Sequence, residues 1–306
     1  MSNQEPKLIV THSGTFHSDE VFAVATLQIH LAGTPVSVLR TRDPELIAQG
    51  DYVVDVGWED DPDRERFDHH QAGGAGTREN GIPFSSFGLV WKKYGSAVCG
   101  SKEAAEIVEH RLVWPIDAAD SGMDTYSRVD HDLLRPYIFH NVTEVFRPTW
   151  RELNEGRTLD KGFMETVEMA RTILRREIKH AQDEIEGMRF VETAYANAPD
   201  KRVIEVSNHC PWARALAKYP EPLLVIKPDI QNGGRWKVKT VRSDPDSSFE
   251  NRRDLPAAWA GKRDQELAEV TGVPDALFCH AKRFIIVAGS KEGARTLAWK
   301  ALEWED

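Results

Sequence analysis

Apolar and polar positions in the N-terminal part of the chain predict a parallel α/β sheet. Residues 8–11, Leu-Ile-Val-Thr, form a short apolar, β-branched run that is typical of a buried strand. A helix is predicted over residues 19–31, because apolar side chains recur there near every 3.6 positions and acids occupy the first turn. Residues 36–40 and 52–55 are predicted strands. The order strand, helix, strand, strand is that of a parallel sheet.

The middle of the chain is predicted to be helical. Residues 83–94 and 101–113 have helical patterns, and residues 160–191 form a charge-rich stretch with a long apolar stripe. A helix of that length, about 45 Å at 1.5 Å per residue, suits a connector between domains. A helix of a dimeric coiled coil is the alternative.

Strand and turn patterns return in the C-terminal part. Residues 201–206, 222–227 and 235–242 are predicted strands, with a hairpin turn at residues 231–234, Gln-Asn-Gly-Gly. A further strand region at residues 277–289 precedes a final helix at residues 290–303. We therefore expect three parts, which are an N-terminal domain at residues 1–160, a helical connector at residues 161–192 and a smaller α+β domain at residues 193–306.

The composition is that of an ordinary globular protein, with 41% hydrophobic and 29% charged residues among 306. The formal net charge of -10 disfavours broad binding to long nucleic acid, which usually relies on a basic face. A local basic groove remains compatible with that charge. No apolar run approaches the ~20 residues that span a bilayer, so we expect no membrane partner.

The cysteines and the N-terminus predict a cytoplasmic protein. Cys99, Cys210 and Cys279 lie far apart, which excludes zinc-knuckle spacing, and their odd number disfavours a disulfide framework. Residues 1–7 are short and polar and have no signal-peptide hydrophobic region. A homo-oligomer is compatible with the sequence.

Histidines and carboxylates cluster where loops leave the predicted strands. His12 and Asp55 stand at two strand ends, and His17 and Asp19 follow the first strand. Ligands gather at the carboxyl ends of parallel strands, so the position of these residues favours a site.

A second group of candidates comes from two short motifs. Residues 67–71 read Phe-Asp-His-His-Gln, in which Asp68 can orient the imidazoles of His69 and His70. A charged surface turn is the alternative for this motif. Asp117 and Asp120 lie three apart and share one face if their segment is helical, although either could be a helix cap.

Imidazole and carboxylate without thiolate favour Mn²⁺ or Mg²⁺, with Fe or Co as further candidates. Two such ions, ~3.5–4 Å apart and bridged by a carboxylate, can activate water for in-line displacement at phosphorus. Any one of these residues is often a cap, a core histidine or a solvated acid. Their joint occurrence at strand ends of one domain favours the metal site. The glycine-rich loop at residues 73–81 matches no phosphate-binding pattern and is either a cover or a plain surface loop.

Four segments, in order, resemble the DHH phosphoesterase superfamily, which includes RecJ-type exonucleases and family II inorganic pyrophosphatases. They are residues 11–19, residues 54–57 (Val-Asp-Val-Gly), residues 67–70 (Phe-Asp-His-His) and residues 117–122. Residues 12–20, His-Ser-Gly-Thr-Phe-His-Ser-Asp-Glu, are similar to the first motif of one branch, the melanocyte-proliferating-gene-one family. A second set of residues is similar to the C-terminal signature of that branch: Arg252, Arg253, Leu255-Pro256, Trp259, Gly261 and Phe278-Cys279-His280-Ala281.

The resemblance covers nearly the whole chain and implies a two-domain hydrolase with a dimanganese-type site, Mg²⁺ or Co²⁺ being alternatives. The ligands that it implies are His12, His17, Asp19, Asp55 as the bridge, His69, and Asp120 in competition with Asp117. His70 is implied as a phosphate-contacting or acid–base group that Asp68 orients. The chain departs from the superfamily at His17, where an aspartate is usual with one residue less between it and the first histidine.

Substrate contacts in the second domain are less defined, because the superfamily's glycine-pair motif is reduced to one glycine in residues 283–289. Cationic side chains position phosphates. The candidates are Lys237, Lys239, Arg242, Arg252, Arg253 and His280. We favour the paired arginines, since a guanidinium can be bidentate to phosphate. For each lysine, a position on a solvated strand face explains the residue as well as a phosphate contact does.

Three functions follow from this reading. The first is a 3′→5′ exonuclease acting on RNA or short single-stranded oligonucleotides, with Trp236, Phe249 and Trp259 as candidates for base stacking, although Trp more often packs a core. The second is a small-molecule phosphohydrolase for pyrophosphate or cyclic or short dinucleotides. The acidic net charge favours this function or very short oligomers as substrates. The third is a metal-stabilised interaction protein without turnover.

Overall fold

The N-terminal sheet forms where the apolar runs predict it. The computed structural model describes residues 5–123, 136–244 and 250–305. The strands of this sheet are β1 (Lys7–Thr11), β2 (Val36–Arg40), β3 (Tyr52–Val54), β4 (Asp60–Asp61) and β5 (Arg66–Phe67). Their order is β2-β1-β3-β5-β4, and all neighbours are parallel except β4 and β5. The predicted parallel α/β sheet is therefore confirmed, with a short antiparallel strand at one edge.

Helices pack against this sheet and against one another. They are α1 (Ser18–His30), α2 (Pro44–Ile47), α3 (Ser86–Cys99), α4 (Lys102–Val108), α5 (Trp114–Asp120), α6 (Phe139–Val145) and α7 (Trp150–Asn154). Most of α1 is buried, and Phe22 of α1 contacts Phe87 of α3 with ring centroids 5.4 Å apart. A π-helical turn, Glu109–Val113, joins α4 to α5.

Helix α1 begins where the acidic first turn predicts it. The carboxylate of Glu20 turns back and accepts the backbone N–H of His17 at 2.9 Å, which satisfies one of the unpaired donors of the helix start. Asp19 and Glu20 also place negative charge at the positive end of the helix dipole. The sequence places two acids here, and the fold buries both.

The predicted connector is a single helix, α8 (Leu159–Asn197), of 39 residues. Its apolar stripe is confirmed at its first half, where Phe163, Val167, Ala170 and Leu174 are fully buried in the core of the first unit. The chain divides into two units, Met1–Gln182 and Asp183–Asp306, and the division falls within α8. No helix among the described residues is long and apolar enough to cross a membrane.

The second unit has its own five-stranded sheet. Its strands are β6 (Val203–Glu205), β7 (Leu224–Pro228), β8 (Trp236–Thr240), β9 (Ala276–Cys279) and β10 (Ile285–Ala288), in the order β6-β7-β8-β10-β9. Only β6 and β7 are parallel. Its helices are α9 (Ala213–Ala217), α10 (Asp264–Thr271) and α11 (Lys291–Glu303). The predicted hairpin between β7 and β8 is present, whereas the strand region predicted at residues 277–289 is two antiparallel strands.

Each face of this second sheet contributes to a separate core. Leu224 and Ile226 of β7 pack on one face with side chains that include Leu267 of α10 and Leu297 of α11. Val225, between them in sequence, belongs to the cluster on the other face. This alternation is what strand geometry requires of a sheet covered on both sides.

We expect Gly88→Ala to destabilise the first unit, because a Cβ on Gly88 of α3 would lie 2.0 Å from Oδ2 of the buried Asp117. Overpacking of this kind costs typically about 1–3 kcal/mol of unfolding free energy. Urea denaturation followed by circular dichroism measures the change. The matched control is Gly233→Ala in the β7–β8 turn, where no atom lies within 4 Å. Equal stability of the two variants would contradict the packing described here.

Candidate metal centre

Three adjacent parallel strands deliver the candidate residues to one edge of the first sheet. His12 follows the last residue of β1, Asp55 follows β3, and Asp68 follows β5. Because β1, β3 and β5 are neighbours in that order, their carboxyl ends bring these side chains together. All three residues are buried, with at most 3% of their surface exposed. The site expected from the strand order is therefore assembled by the sheet itself.

Asp55 lies at the centre of this edge. Its Oδ2 is 3.2 Å from Nε2 of His12, and its Oδ1 is 3.2 Å from Nε2 of His69. The Ser86 hydroxyl donates to Oδ1 at 3.0 Å. Its backbone has φ 56°, a left-handed conformation that is uncommon outside glycine and that often marks functional positions. The two oxygens thus face two different histidines, as a bridging carboxylate requires.

Three overlapping groups of donor atoms lie at this edge of the sheet, and within each group the atoms lie within 4.8 Å of one another. The groups are His12, His17, Glu20 and Asp55; Asp55, His69 and His70; and His17, Asp19 and Asp120. Asp55 belongs to two groups and His17 to two. Shared donors of this kind suit a pair of closely spaced cations better than one isolated ion.

Asp19 shows most directly that the donor set fits a cation. It is fully buried, and neither carboxylate oxygen has a hydrogen-bond partner among the described residues. Burial, followed by repulsion from Asp55 and Asp120, raises the pKa of Asp19 well above its usual range. Nε2 of His69 lies 3.8 Å from Oδ2 of Asp19, which is too long for a hydrogen bond. A buried carboxylate without a hydrogen bond is costly, and carboxylate oxygens together with imidazole nitrogens are ligands that divalent cations accept. The residues present therefore fit a divalent metal.

The histidines carry the compensating positive charge. Burial lowers the pKa of His12, but hydrogen bonds to Asp55 and Glu20 outweigh burial and raise it to about 10. Burial also acts to lower the pKa of His69, but the hydrogen bond to Asp55 and the charge of the nearby carboxylates outweigh burial, and the pKa is raised. Hydrogen bonds from these two imidazoles hold the pKa of Asp55 below its usual range although burial acts to raise it. Metal ligation needs neutral imidazoles, so a cation at this position would displace these protons and take over their charge.

Asp68 holds the two histidines of the Asp-His-His motif. Its Oδ1 accepts the backbone N–H groups of His69 at 2.8 Å and His70 at 3.2 Å, and it lies 2.8 Å from Nδ1 of His70. Its Oδ2 accepts the backbone N–H of Trp58 at 2.6 Å. The hydrogen bond to Asp68 raises the pKa of His70, whose side chain is 50% exposed. This geometry suits the orienting role expected of Asp68 and leaves the ring of His70 accessible.

The structure separates the two competing aspartates of α5. Asp120 lies with its Oδ2 3.3 Å from Nε2 of His69. Asp117 points elsewhere, where it accepts the Ser85 hydroxyl at 2.5 Å and pairs with Arg78 at 2.7 Å. Burial raises the pKa of Asp117 to about 6 although Arg78 acts to lower it. Asp120 is thus brought to the donor cluster, and Asp117 instead anchors the glycine-rich loop through Arg78.

Two residues of the site are missing from the sequence-based set. Oε1 of Glu20 lies 3.1 Å from Nε2 of His12, and Nη2 of Arg42 lies 3.2 Å from its Nδ1. The position of Glu20 in the first turn of α1 predicts helix capping, and nothing in the sequence indicates its second contact, with His12. Arg42 follows the carboxyl end of β2, next to β1, and that position was an available signal. Arg42, Trp58 and His70 line a cavity of about 380 Å³ at this edge.

The paired arginines of the second unit do not lie free for substrate. The Arg252 guanidinium donates to the carbonyls of Tyr219 at 2.5 Å, Pro222 at 3.2 Å and Ala217 at 3.2 Å. Arg253 donates to the Trp304 carbonyl at 3.2 Å. Both side chains thus tie backbone segments together, and a phosphate contact of either arginine stays a prediction.

The remaining candidates of the second unit are dispersed. Nδ1 of His280 accepts the backbone N–H of Lys282 at 3.0 Å, and its ring packs on Phe284. Trp259 is fully buried and cannot stack on a base, while Trp236 lies under the ammonium of Lys291 at 5.0 Å. Phe249 lies outside the described residues. Lys237, Lys239 and Arg242 are close together, as described below.

Comparison with known proteins gives a consistent result along the chain. A family model for the MYG1 exonuclease, described as an uncharacterised protein family (UPF0160), matches residues 8–302. A MYG1 exonuclease of Bos taurus is 30% identical over 322 residues, which covers 96% of this chain and 84% of the relative. The human MYG1 exonuclease is 30% identical, with 96% and 85% covered. A MYG1 protein of Caenorhabditis elegans is 32% identical, with 97% and 95% covered.

Divalent cations are expected to stabilise the protein through this site. An ion at 100 times its dissociation constant would add about 2.7 kcal/mol to the unfolding free energy, since the unfolded chain has no assembled site. Thermal unfolding with EDTA and with Mn²⁺, Mg²⁺ or Co²⁺ measures the shift. Asp55→Asn should abolish it, because the bridging charge is lost. An unchanged midpoint with every cation would show that the cluster holds no metal.

The two aspartates of α5 should respond differently to the same substitution. Asp120→Asn should weaken Mn²⁺ binding by at least about 100-fold with little change in stability, more than the ~10–100-fold typical of residues that only orient ligands. Asp117→Asn should leave the Mn²⁺ affinity of the folded protein unchanged. It should lower the unfolding free energy by roughly 3–5 kcal/mol, because it breaks the buried ion pair with Arg78, whose other carboxylate partner, Glu109, is partly exposed. Calorimetric Mn²⁺ titration and denaturation of both variants test this, and the reverse pattern would make Asp117 the ligand.

Proposed function

This chain belongs to the MYG1 exonuclease family, and from that premise we propose that it is a metal-dependent phosphodiesterase. We propose further that it removes nucleotides in the 3′→5′ direction from short RNA or single-stranded oligonucleotides. The observation that carries the proposal is a set of three overlapping donor groups, two of which share Asp55, at the edge of a cavity open to solvent. Such a site has the parts that hydrolysis of a phosphodiester needs.

In this proposal the buried donors hold two cations. Asp55 would be the residue that both ions share, because its two oxygens face different histidines. The other ligands are His12, His17, Asp19, His69 and Asp120, and Glu20 joins them through its contact with His12. When bound, divalent ions, with Mn²⁺ as first candidate and Mg²⁺ and Co²⁺ as alternatives, supply an activated water and stabilise charge on the phosphoryl oxygens.

His70 is proposed as the group that moves a proton at the leaving oxygen. Its Nδ1 is engaged by Asp68 at 2.8 Å, so Nε2 is the nitrogen that remains for substrate. Asp68 favours the protonated imidazole through that hydrogen bond. A positioned acid–base group of this kind contributes typically about 10²–10⁴-fold to rate. His70 therefore has an orientation and an exposure that suit a general acid.

Two residues at the cavity are proposed to position the substrate. Arg42 has a guanidinium beside His12, where it can bind a non-bridging phosphate oxygen. Trp58 lines the same cavity, is 70% exposed, and has φ 63°, a conformation rarely adopted by bulky residues. An exposed indole held in this way offers a flat surface for a terminal base, since stacking on aromatic rings tolerates any base.

A small-molecule phosphohydrolase is the second candidate. The net charge of -10 favours it, and a cavity of about 380 Å³ is in the size range of small-ligand pockets. Either reaction is proposed for the cytoplasm, because the cysteines Cys99, Cys210 and Cys279 are free and buried, which suits a reducing compartment.

The test uses two end-labelled RNA oligomers, one blocked at its 3′ end and one at its 5′ end, incubated with Mn²⁺. Stepwise shortening of only the 5′-blocked oligomer is expected. His70→Ala should reduce the rate by at least about 100-fold, because proton transfer to the leaving group is lost. Asp55→Asn should abolish it. The matched control is His180→Ala, an exposed histidine of α8.

Other outcomes discriminate between the alternatives. Pyrophosphate is assayed in parallel, and its hydrolysis without RNA shortening would replace the exonuclease by the small-molecule enzyme. Shortening of only the 3′-blocked oligomer would reverse the proposed polarity. Metal binding without turnover of either substrate would refute the enzymatic proposal altogether.

A further inference from the structure

Three lysines share one face of the second sheet, on adjacent antiparallel strands. Lys227 of β7 is paired in register with Lys237 of β8, and Val225 is paired with Lys239. Residues that are directly opposite point to the same face, as do residues two apart on one strand. Lys227, Lys237 and Lys239 therefore form one group, here called the lysine face. It lies on the side of the sheet to which Val225 contributes.

The lysine face is electrostatically unfavourable as it stands. Like charges directly opposite on paired strands destabilise a sheet, because their Cβ atoms are only about 5 Å apart. Lys237 is compensated by Asp229 at 2.8 Å. Within residues 136–244 and 250–305, no carboxylate lies at ion-pair distance from Lys227 or Lys239. An anion is therefore the partner that this face favours.

Lys227 makes the argument specific, because it is only 7% exposed. Lysine is almost never buried to this degree unless it is paired. Burial, followed by repulsion from Lys239, lowers the pKa of Lys227. Burial, followed by repulsion from Lys227 and Lys237, lowers the pKa of His209. A lysine that is buried to this extent and has no carboxylate at ion-pair distance costs stability, so its retention points to a role in binding.

A cavity of about 210 Å³ lies beside Lys239 and is lined by Arg242, Asn251, Phe284 and Trp212, among others. The Lys239 ammonium is 5.8 Å from the centre of the Trp212 ring and 5.9 Å from that of Phe284. A cavity of this size is smaller than the ~300–1,000 Å³ of whole-ligand pockets. It suits one phosphate and its sugar, with the partly exposed Phe284 ring as an apolar wall.

We infer that the lysine face binds a backbone phosphate of single-stranded nucleic acid, with Lys227 and Lys239 as the contacting cations. The inference rests on the proposed function for the choice of nucleic acid as the source of the phosphate. Cations beside aromatic rings are the combination by which proteins bind single strands without sequence preference. This assignment adds Lys227, and it takes the phosphate contact away from Arg252 and Arg253, whose guanidinium groups bind backbone carbonyls.

The experiment measures binding without turnover. The full chain is titrated in EDTA against a fluorescein-labelled oligouridylate hexamer, and anisotropy is recorded at several KCl concentrations. The variants are Lys227→Met and Lys239→Met, with Lys300→Met of α11 as the matched control. Helix α11 packs on the opposite face of the sheet, which makes Lys300 a suitable reference.

Each variant of the lysine face should weaken hexamer binding about 10-fold. It should also reduce the slope of log K against log salt by about 0.7, the contribution of one phosphate contact on a single strand. Lys227→Met should unfold at the same or a higher temperature, because an unpaired buried charge is removed. Lys300→Met should bind like the wild type. Lost affinity together with retained stability separates a binding role from a structural one.

Three results would overturn the inference. One is wild-type affinity in both lysine-face variants, and another is failure of the wild type to bind the hexamer. The third is lysine-dependent binding of pyrophosphate with no binding of the hexamer, which would assign the face to a small phosphate ligand. The exonuclease assay stays independent. If RNA is shortened but the lysine variants bind the hexamer as tightly as the wild type, only this inference is refuted. If hexamer binding depends on the lysines but RNA is not shortened, only the proposed function is refuted.

Discussion

Buried negative charge at the carboxyl end of the first sheet is the constraint on which the candidate site depends. Asp19, Glu20, Asp55 and Asp68 are each at most 3% exposed and lie within one small region. Charges so close in a medium of low dielectric constant repel one another strongly, and an isolated buried carboxylate tends to take up a proton instead. The fold can retain these four acids as anions only with positive charge placed among them. Imidazoles provide part of that charge, and a divalent cation would provide more of it in less space.

The acids of this region differ in how the protein itself satisfies them, and the difference indicates their roles. Asp68 accepts three backbone N–H groups and binds an imidazole, and Asp117 has a hydroxyl, a backbone N–H and a guanidinium. Such carboxylates are already compensated and would gain little from a metal. Asp19, in contrast, is buried with no hydrogen bond to either oxygen among the described residues, and Nε2 of His69 is 3.8 Å from its Oδ2. The acid with the least protein compensation is the one that gains most from a cation.

The sequence predicts much of this site because strand ends are local features. Apolar runs locate β1 and β3, so His12 and Asp55 fall at strand ends without any knowledge of contacts. The side chains from distant segments that contact a residue are not a local feature. Asp117 and Asp120 share a helix and a spacing that suits either as ligand, and they differ only in their tertiary partners, which are Arg78 and Ser85 for Asp117 and His69 for Asp120. The turn between β9 and β10 was also hidden, since Arg283 adopts a left-handed φ of 56° where no glycine signals it.

Adjacent residues can also have unrelated surroundings, as the paired arginines show. Arg252 and Arg253 bind the carbonyls of different chain segments, a fact of tertiary structure. Lys227 shows the converse. Its strand reads as an ordinary apolar one, and only the register with β8 places its ammonium opposite a second lysine. The net charge of -10 sums over the backbone-bound arginines and the opposed lysines alike, and it describes the surroundings of neither. Because unlike sites cancel in that sum, the electrostatics of a binding face has to be judged from the neighbours of each charge.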